Sequence, residues 1–516
     1  MPFEKIISNN LQGWFKNDLE ARFLVRLGIA LIIIQFIIFK IAYPLPNLMP
    51  PDSYSYIDAA RQNLTINIWA IGYSKFLRLV SCLTTSSIFL VWLQYLLLEA
   101  CLLYFLFSLR YFINPGKWLF RATLLLSILN PLIPHISNFV SSDALFTSLS
   151  LVWVTQLFWI LAKPTRKLIL FHAIILLLAF TVRFSALYYP MISIAVIMLN
   201  KMKLSLKWLG ATSIIILLGS FTGRTVFEYF KKTHTIQYSA FGGWQLAANA
   251  LYGYAYTSPD PPDKIPEKFK ELQMVVNKHM DSIRFLTLSK RPDKDLDVYY
   301  LWNLQSPLIV YTVQKWGKDT TTPYDIKWET MGPLYASYGQ YVIIHHPLPY
   351  FCHFIWPNII KFYAPPTGFM GKYVLGYQYV DPTVSRWFRW GDNHVYNRFH
   401  DKNIEVIKVF PYLSAVINIV FISGYISILV LGISRNEKTS TQNIIKAITS
   451  VWLANMLFSV FAAPIELRYQ LLSFLITFPF ALGFIDSIIK AVRINRRTPS
   501  NINQYQGGEL KLENIT

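Results

Sequence analysis

Long apolar runs alternate with short polar and basic segments along most of the chain, but not between residues 223 and 405. A helix that crosses the hydrocarbon core of a bilayer needs ~20 mainly apolar residues. The pattern therefore predicts an all-α polytopic membrane protein with about ten membrane helices. The apolar runs are 23–42, 86–112, 118–134, 143–162, 168–182, 186–200, 208–222, 406–433, 444–463 and 469–489.

The stretch from residue 168 to residue 200 has two interpretations, because Arg183 interrupts it. It forms either one long span or a hairpin of two short ones. The basic segments 163–167 and 201–207 flank it, and such segments accumulate on the cytoplasmic side of membranes. A hairpin with Arg183 near its outer tip puts both segments on one side, so we predict the hairpin.

Residues 223–405 are too long and too polar for a loop, and we expect a separate, mainly helical extracytoplasmic domain. Helical spacing of apolar residues predicts helices at 267–288, 295–316 and 324–344. The aromatic segment 346–363 suits a helix that lies in the membrane interface. The predicted units are an N-terminal transmembrane core (1–222) with first outer loop 43–85, this domain (223–405), C-terminal transmembrane helices (406–489) and a cytoplasmic tail (490–516).

Composition supports the membrane class and changes the meaning of the charge. The chain is 53% hydrophobic and 15% charged, with a mean hydropathy of +0.35 and a net charge of +20. In a soluble protein such a charge would favour nucleic acid as a partner, but here it follows from basic cytoplasmic loops, so we expect a lipid bilayer and no nucleic acid. Six basic clusters fall on every second loop: Lys5/Lys16/Arg22/Arg26, Arg110/Lys117/Arg121, Lys163/Arg166/Lys167, Lys201/Lys203/Lys207, Arg435/Lys438 and Lys490/Arg493/Arg496/Arg497.

The clusters predict a multi-pass inner (plasma) membrane protein with both termini in the cytoplasm and the first outer loop on the other face.

The sequence lacks the motifs that are typical of several classes of enzyme. The sequence has no phosphate-binding glycine loop, no zinc-protease motif, no Cys-x-x-Cys pair and no nucleophile elbow. Its three cysteines show no disulfide or metal spacing, and its histidines show no metal-ligand spacing.

Two acids in the first outer loop are candidates for chemistry, since charges at membrane depth are costly and are retained for function. Asp52 is either the catalytic group or a solvated loop acid. Tyr54 and Tyr56, on one side of an extended or turn segment, would line a sugar-binding cleft. Asp58, in a predicted short helix, is either a supporting acid or the partner of a nearby arginine.

The other predicted outer ends contribute further charged residues. Asp143 opens a span and either supports the chemistry or caps the helix. Arg183 either binds the oxygens of a lipid phosphate, which suits a guanidinium fork, or pairs with Asp143 or Glu466. Glu466 and Arg468 either form a structural pair or contact the same lipid headgroup.

Two tryptophans in the predicted outer domain are candidates for sugar stacking. Trp387 and Trp390 belong to the aromatic sequence Trp387-Phe388-Arg389-Trp390. A membrane-facing aromatic belt explains the same composition. The sequence does not decide between the two.

The order of four short motifs resembles the GT-C superfamily of membrane glycosyltransferases, in the style of its bacterial protein mannosyltransferase and aminoarabinose transferase branch. The motifs are Asp52-Ser53-Tyr54-Ser55-Tyr56 after the first span, Ser142-Asp143-Ala144-Leu145-Phe146, Thr181-Val182-Arg183 and Glu466-Leu467-Arg468-Tyr469. The resemblance covers the membrane core and not residues 223–405. It implies a GT-C-like fold and transfer of a sugar from a polyprenyl-phosphate donor to an extracytoplasmic glycan, lipid or protein.

The same resemblance implies that Asp52 is the general base of an inverting transfer, with Arg183 and Arg468 at the lipid phosphate. Many members carry a second acid directly after the first, and here that position is Ser53. Some members use a divalent metal and others use none, so a metal cofactor stays open. A lipid-linked saccharide flippase and a non-catalytic membrane assembly protein are the alternatives, and both predict that Asp52 is dispensable.

Overall fold

A computed structural model describes residues 11–395, 403–430 and 439–497. These residues are 77% helical and contain no β-strand. The first half of the chain folds into α1 (Leu11–Asn17), α2 (Leu19–Ala42), α3 (Asp52–Gln62), α4 (Gly72–Ser81), α5 (Ser87–Ile113), α6 (Lys117–Ile128), α7 (Leu132–Ser137), α8 (Asp143–Ala162), α9 (Arg166–Val182), α10 (Tyr189–Leu199) and α11 (Leu204–Thr233).

The middle of the chain, residues 234–395, forms a cap of shorter helices. It contains α12 (Ala240–Tyr254), α13 (Lys270–Arg284), α14 (Tyr299–Trp302), α15 (Pro307–Trp316), α16 (Tyr324–Thr330), α17 (Gly332–His345), α18 (Pro347–Tyr350), α19 (Trp356–Tyr363) and α20 (Pro382–Phe388). After the cap come α21 (Phe410–Val430), α22 (Thr439–Ala462) and α23 (Leu471–Arg497).

Within the described residues, eight helical segments are long and apolar enough to cross a membrane. They are α2, α5, α6 with α7, α8, α11, α21, α22 and α23. The chain is therefore an all-helical polytopic membrane protein. The other two predicted spans are the shorter helices α9 and α10, which explains the difference from the predicted ten.

The pair α9 and α10 forms a hairpin with Arg183 at its tip. Arg183 is extended (φ −149°, ψ 142°), and a 3₁₀ turn, Phe184–Tyr188, follows it. At the other end, the side chain of Asn200 donates to the carbonyl of Ile160 at 2.9 Å, so α10 returns to the end of α8. The hairpin is the arrangement that the flanking basic segments favoured.

The cap differs in detail from the predicted helices. The predicted helix 295–316 is not continuous: it begins at Tyr299, and residues 303–306 divide it into α14 and α15. Pro307 disfavours helix in the residue before it and starts α15 instead. The predicted boundary at residue 223 lies inside α11, which continues to Thr233.

The cap and the membrane helices share one continuous hydrophobic core. The amide of Asn358 in α19 donates to the carbonyl of Val460 in α22 at 3.2 Å. The phenol of Tyr373 donates to the carbonyl of Leu45, just after α2, at 2.9 Å. The cap is thus seated directly on one end of the membrane helices, and the junction encloses a cavity.

The opposite end of the membrane helices carries a cluster of ion pairs. Arg110, at the end of α5, contacts Asp18 at 3.0 Å and Glu20 at 3.3 Å. Arg121 contacts Glu20 at 2.9 Å. The predicted basic residues Lys5, Arg435 and Lys438 and the tail from residue 498 lie outside the described residues, as do the side chains from residue 491 onward.

Candidate functional site

The cavity at this junction has a volume of about 870 Å³. It is lined by residues from the first loop, from the starts of α8 and α23, from the tip of the α9–α10 hairpin and from the cap. Five charged residues predicted from the sequence border it: Asp52, Asp143, Arg183, Glu466 and Arg468. Up to 416 residues separate them in the chain, and the fold brings them to one chamber.

Backbone pairing holds the first loop against the segment that precedes α8. The backbone N–H of Asn47 donates to the carbonyl of Asn138 at 2.7 Å, and that of Val140 donates back to Asn47 at 3.0 Å. Asp52 is the first residue of α3 and Asp143 is the first residue of α8. The partial positive charge of each helix N-terminus favours an acidic side chain there.

Ser53, which stands where many members of the resembled superfamily carry a second acid, has a structural role. Its hydroxyl accepts from the backbone N–H of Met49 at 2.9 Å and donates to the carbonyl of Val140 at 2.8 Å. The side chain is fully buried. A carboxylate at this position would face the Val140 carbonyl oxygen without a proton to donate.

Arg468 connects the three carboxylates. Its guanidinium contacts Asp52 Oδ2 at 3.2 Å, Glu466 Oε2 at 3.0 Å and Asp143 Oδ2 at 3.8 Å. It lies over the ring of Tyr469, with 4.5 Å from the guanidinium carbon to the ring centroid. Since its side chain is only 10% exposed, these partners fix its position.

Arg183 forms a second ion pair beside the first. Its guanidinium donates to Asp143 Oδ1, and the hydroxyl of Ser141 donates to Asp143 Oδ2 at 2.8 Å. The guanidinium also lies 5.0 Å from the ring centroid of Tyr469. The ion pair that the sequence offered as one alternative for Arg183 is therefore present in the cavity.

The cluster around Arg468 contains three carboxylates (Asp52, Asp143, Glu466) and two guanidiniums (Arg183, Arg468), which leaves the cluster one negative charge in excess when all are ionised. Burial raises the pKa of the Asp52 carboxyl, and the neighbouring guanidinium of Arg468 opposes that shift. Burial likewise raises the pKa of Glu466, again against Arg468. A carboxyl group with a raised pKa accepts a proton more readily than an exposed one.

Gly368 makes room for the Glu466 side chain. A Cβ atom at residue 368 would lie 2.6 Å from the carboxyl carbon of Glu466. The backbone there has a φ of +51°, which favours glycine. The cap loop and the start of α23 therefore approach each other closely behind the charged cluster.

The two predicted tyrosines are not side by side. Residues 52–62 are helical, so side chains two positions apart point to different faces, and the expected extended or turn segment is wrong. Tyr56 lines the cavity, and its hydroxyl lies 3.1 Å from the hydroxyl of Ser142. Tyr54 does not line it and instead lies near Asp381 of the cap.

Other predicted site residues lie away from the cavity. Asp58 forms an exposed ion pair with Arg61 at 2.8 Å, which is the alternative to a supporting role. Trp390 donates its indole N–H to the hydroxyl of Ser87 at 3.2 Å. Neither Trp387 nor Trp390 is among the residues that line the cavity.

The three carboxylates do not form a metal site. Among the described residues, no group of three or more His, Cys, Asp or Glu side chains has an arrangement that would hold a metal ion. The guanidinium of Arg468 occupies the position between the acids that a divalent cation would take. This donor set therefore does not fit the metal used by some proteins of the resembled superfamily.

Sequence reasoning missed several residues of the cavity wall. Lys361 and the rings of Trp69, Phe241 and Trp302 line the cavity, as do Asp295 and Asp297. No local motif identifies them, because they come from the first loop and from four separate parts of the cap. Comparison with protein families, characterised proteins and solved structures found no match to this chain.

Proposed function

We propose that the protein is a membrane glycosyltransferase that moves a sugar from a polyprenyl-phosphate donor to an extracytoplasmic acceptor. The observation that supports this most directly is the position of Asp52, which shares one cavity with Arg183 and Arg468 at the end of the membrane helices. The proposed transfer needs a base for the acceptor's proton and positive charge that stabilises the leaving phosphate.

Asp52 acts as the base in the proposed step. One of its oxygens contacts Arg468, and the other takes the proton from the acceptor hydroxyl or amine. The acceptor atom then forms a bond to the anomeric carbon from the face opposite the phosphate. The bond from that carbon to the phosphate oxygen breaks, the lipid phosphate leaves with the electron pair, and the configuration inverts.

The two arginines stabilise the leaving phosphate. A guanidinium carries five N–H donors, so Arg183 retains donors beyond the one that Asp143 accepts. Arg468 is oriented by Asp52 and Glu466 in the same way. Fixed donors aimed at a developing negative charge supply a large part of many catalytic effects.

The proposed orientation puts this cavity on the extracytoplasmic face of the inner membrane. Basic residues accumulate on cytoplasmic loops. Arg110, Lys117 and Arg121 lie at the end of the membrane helices opposite the cavity. In this orientation both termini are cytoplasmic, and the cap faces the compartment that holds the acceptor.

A transfer assay in detergent tests the proposal against its rivals. Purified protein is incubated with a panel of polyprenyl-phosphate sugars and cell-envelope acceptors, and products are identified by mass and anomeric configuration. A transferase consumes the donor and yields an inverted glycosidic bond. A flippase or an assembly protein leaves every donor chemically unchanged, and that result would refute the proposal.

A further inference from the structure

Part of the cavity wall has no role in the proposed transfer step. Three half-buried aromatic side chains line it: Trp69 between α3 and α4, Phe241 in α12 and Trp302 in α14. We refer to these three residues as the aromatic wall. Charged groups from the cap border the same chamber.

The aromatic wall is one contiguous cluster. The ring centroid of Trp69 lies 4.6 Å from that of Phe241 and 6.1 Å from that of Trp302. Behind it, the ring of Trp328 stacks on Trp302 with centroids 5.8 Å apart and an interplanar angle of 7°. Trp328 is buried, so it gives the wall a rigid support.

The wall begins next to the charged cluster. The ring of Trp69 lies 6.5 Å from that of Tyr56, whose hydroxyl contacts Ser142, the residue before Asp143. A molecule bound at the charged cluster therefore needs to extend past only one ring, that of Tyr56, to contact the aromatic wall.

Polar groups of the cap surround the wall. Asp297 Oδ1 accepts from the hydroxyl of Tyr252 at 3.0 Å and from the backbone N–H of Tyr299 at 2.8 Å, so this carboxylate is held in place. Lys361 donates to the carbonyl of Leu296. Burial lowers the pKa of Lys361, and nearby carboxylates, including Asp297, oppose the shift.

This combination of groups suits a sugar. The C–H faces of a pyranose ring carry slight positive charge and stack on the negative face of an aromatic ring. Its hydroxyls donate to carboxylates and accept from an ammonium group. The cavity volume of about 870 Å³ lies in the upper part of the ~300–1,000 Å³ range of sites that hold a drug-sized ligand. The chamber therefore has room beyond the reacting sugar.

We propose that the aromatic wall, with Asp295, Asp297 and Lys361, is an acceptor subsite and that the acceptor is a saccharide. The assignment of this ligand as the acceptor rests on the proposed transferase function. The binding of a saccharide at the wall does not depend on it and is measured separately.

The test is saccharide binding to the full chain in detergent without a donor. The probes are neutral di- and trisaccharides of hexoses, and the readouts are saturation-transfer NMR and intrinsic fluorescence. Trp302→Ala and Phe241→Ala are each expected to weaken binding about tenfold, since a stacking contact and its buried area contribute on the order of 1.4 kcal/mol. Trp302→Phe retains a ring and is expected to bind within about threefold of wild type.

Trp118→Ala is the matched control, because Trp118 is 80% exposed and does not line the cavity. It is expected to bind as wild type does. The subsite is refuted if no saccharide binds the wild type, or if both alanine variants of the wall bind as tightly as the control. Peptides that bind the wall in place of saccharides would refute it as well.

The two proposals fail in different ways. If saccharides bind the wild type but not Trp302→Ala, and no donor is turned over, the proposed transferase activity is contradicted and the proposed saccharide subsite stands. If the sugar is transferred to a lipid or a peptide, and Trp302→Ala leaves the acceptor KM unchanged, the proposed saccharide subsite is contradicted and the proposed transferase activity stands.

Discussion

Replacing Arg468 with glutamine tests how the charged cluster is held together. Arg468 lies within 4 Å of three carboxylates, at 3.2 Å from Asp52, 3.0 Å from Glu466 and 3.8 Å from Asp143. Its loss leaves one guanidinium in the cluster, that of Arg183, so the excess negative charge of the cluster rises from one to two. Removal of one partner of a buried ion pair costs about 3–5 kcal/mol. We expect Arg468→Gln to lower the free energy of unfolding by that amount at neutral pH.

The loss should depend on pH with a defined sign. Burial already raises the pKa values of Asp52 and Glu466, and Arg468 opposes both shifts. In Arg468→Gln the folded state retains protons at pH values where the unfolded chain has released them. Stability of the variant relative to wild type should therefore fall as the pH rises from about 4, the ordinary carboxyl pKa, through the raised values.

The assay is unfolding by a denaturing detergent, followed by tryptophan fluorescence between pH 4.5 and pH 8. Arg61→Gln is the control, because Arg61 pairs with Asp58 at the surface and such pairs contribute ~0–1 kcal/mol. Asp52→Asn in the Arg468→Gln background should restore part of the stability, since it removes one of the unpaired charges. A loss below 1 kcal/mol that does not change with pH would show that the arginine does not stabilise the acids.

Three further predictions concern the same site. The kcat/KM of transfer should fall on acidification with an apparent pKa above the ordinary carboxyl value, because burial raises the pKa of Asp52 and the base must be ionised. A kcat/KM that does not change between pH 7 and pH 4 would contradict this. Gly368→Ala should lower both the free energy of unfolding and the rate of transfer, because the new Cβ would lie 2.6 Å from the Glu466 carboxyl carbon and the backbone has a φ of +51°. Gly219→Ala is the control and should lower neither, because the space around Gly219 is open. Asp58→Asn should transfer within about twofold of wild type, because Asp58 is exposed and in a surface pair; a loss of tenfold or more would give it a part in the reaction.

Much of the membrane architecture is predictable from the sequence, because the bilayer imposes a simple rule on it. The apolar run 143–162 coincides with α8, Asp143–Ala162. Arg183 interrupts the next run at the tip of a hairpin, since a guanidinium is costly inside hydrocarbon. The pattern does not determine helix length. Two of the ten apolar runs form α9 and α10, which are shorter than the eight helical segments long enough to cross a membrane.

The cap and the cavity wall are less predictable, because they depend on tertiary contacts. The spacing of Tyr54 and Tyr56 suggested a shared face, but the first loop forms a helix in which only Tyr56 reaches the cavity. Trp387 and Trp390 lie in an aromatic sequence, yet they contact other parts of the protein. Trp302 follows Tyr299 and Tyr300 in an equally aromatic sequence and does line the cavity. The packing of the cap therefore decides which aromatic residues reach the cavity, and local composition does not.

The charged cluster shows what sequence order can and cannot supply. The topology predicted from the basic loops indicated that Asp52, Arg183 and Arg468 belong to one end of the membrane helices. It did not indicate that Arg468 would contact Asp52 directly, at 3.2 Å, or that Ser53 would anchor the loop to Val140. Such contacts are fixed by side-chain geometry, which a linear pattern does not contain.

Single-turnover sugar transfer by Asp52→Asn, compared with wild type, tests the central claim most directly. Asparagine keeps the size of the side chain but cannot accept the acceptor's proton, and loss of a general base typically lowers the rate about 10²–10⁴-fold. The account predicts a loss of that size, with donor binding retained and with Asp58→Asn active. Transfer by Asp52→Asn at the wild-type rate would contradict it.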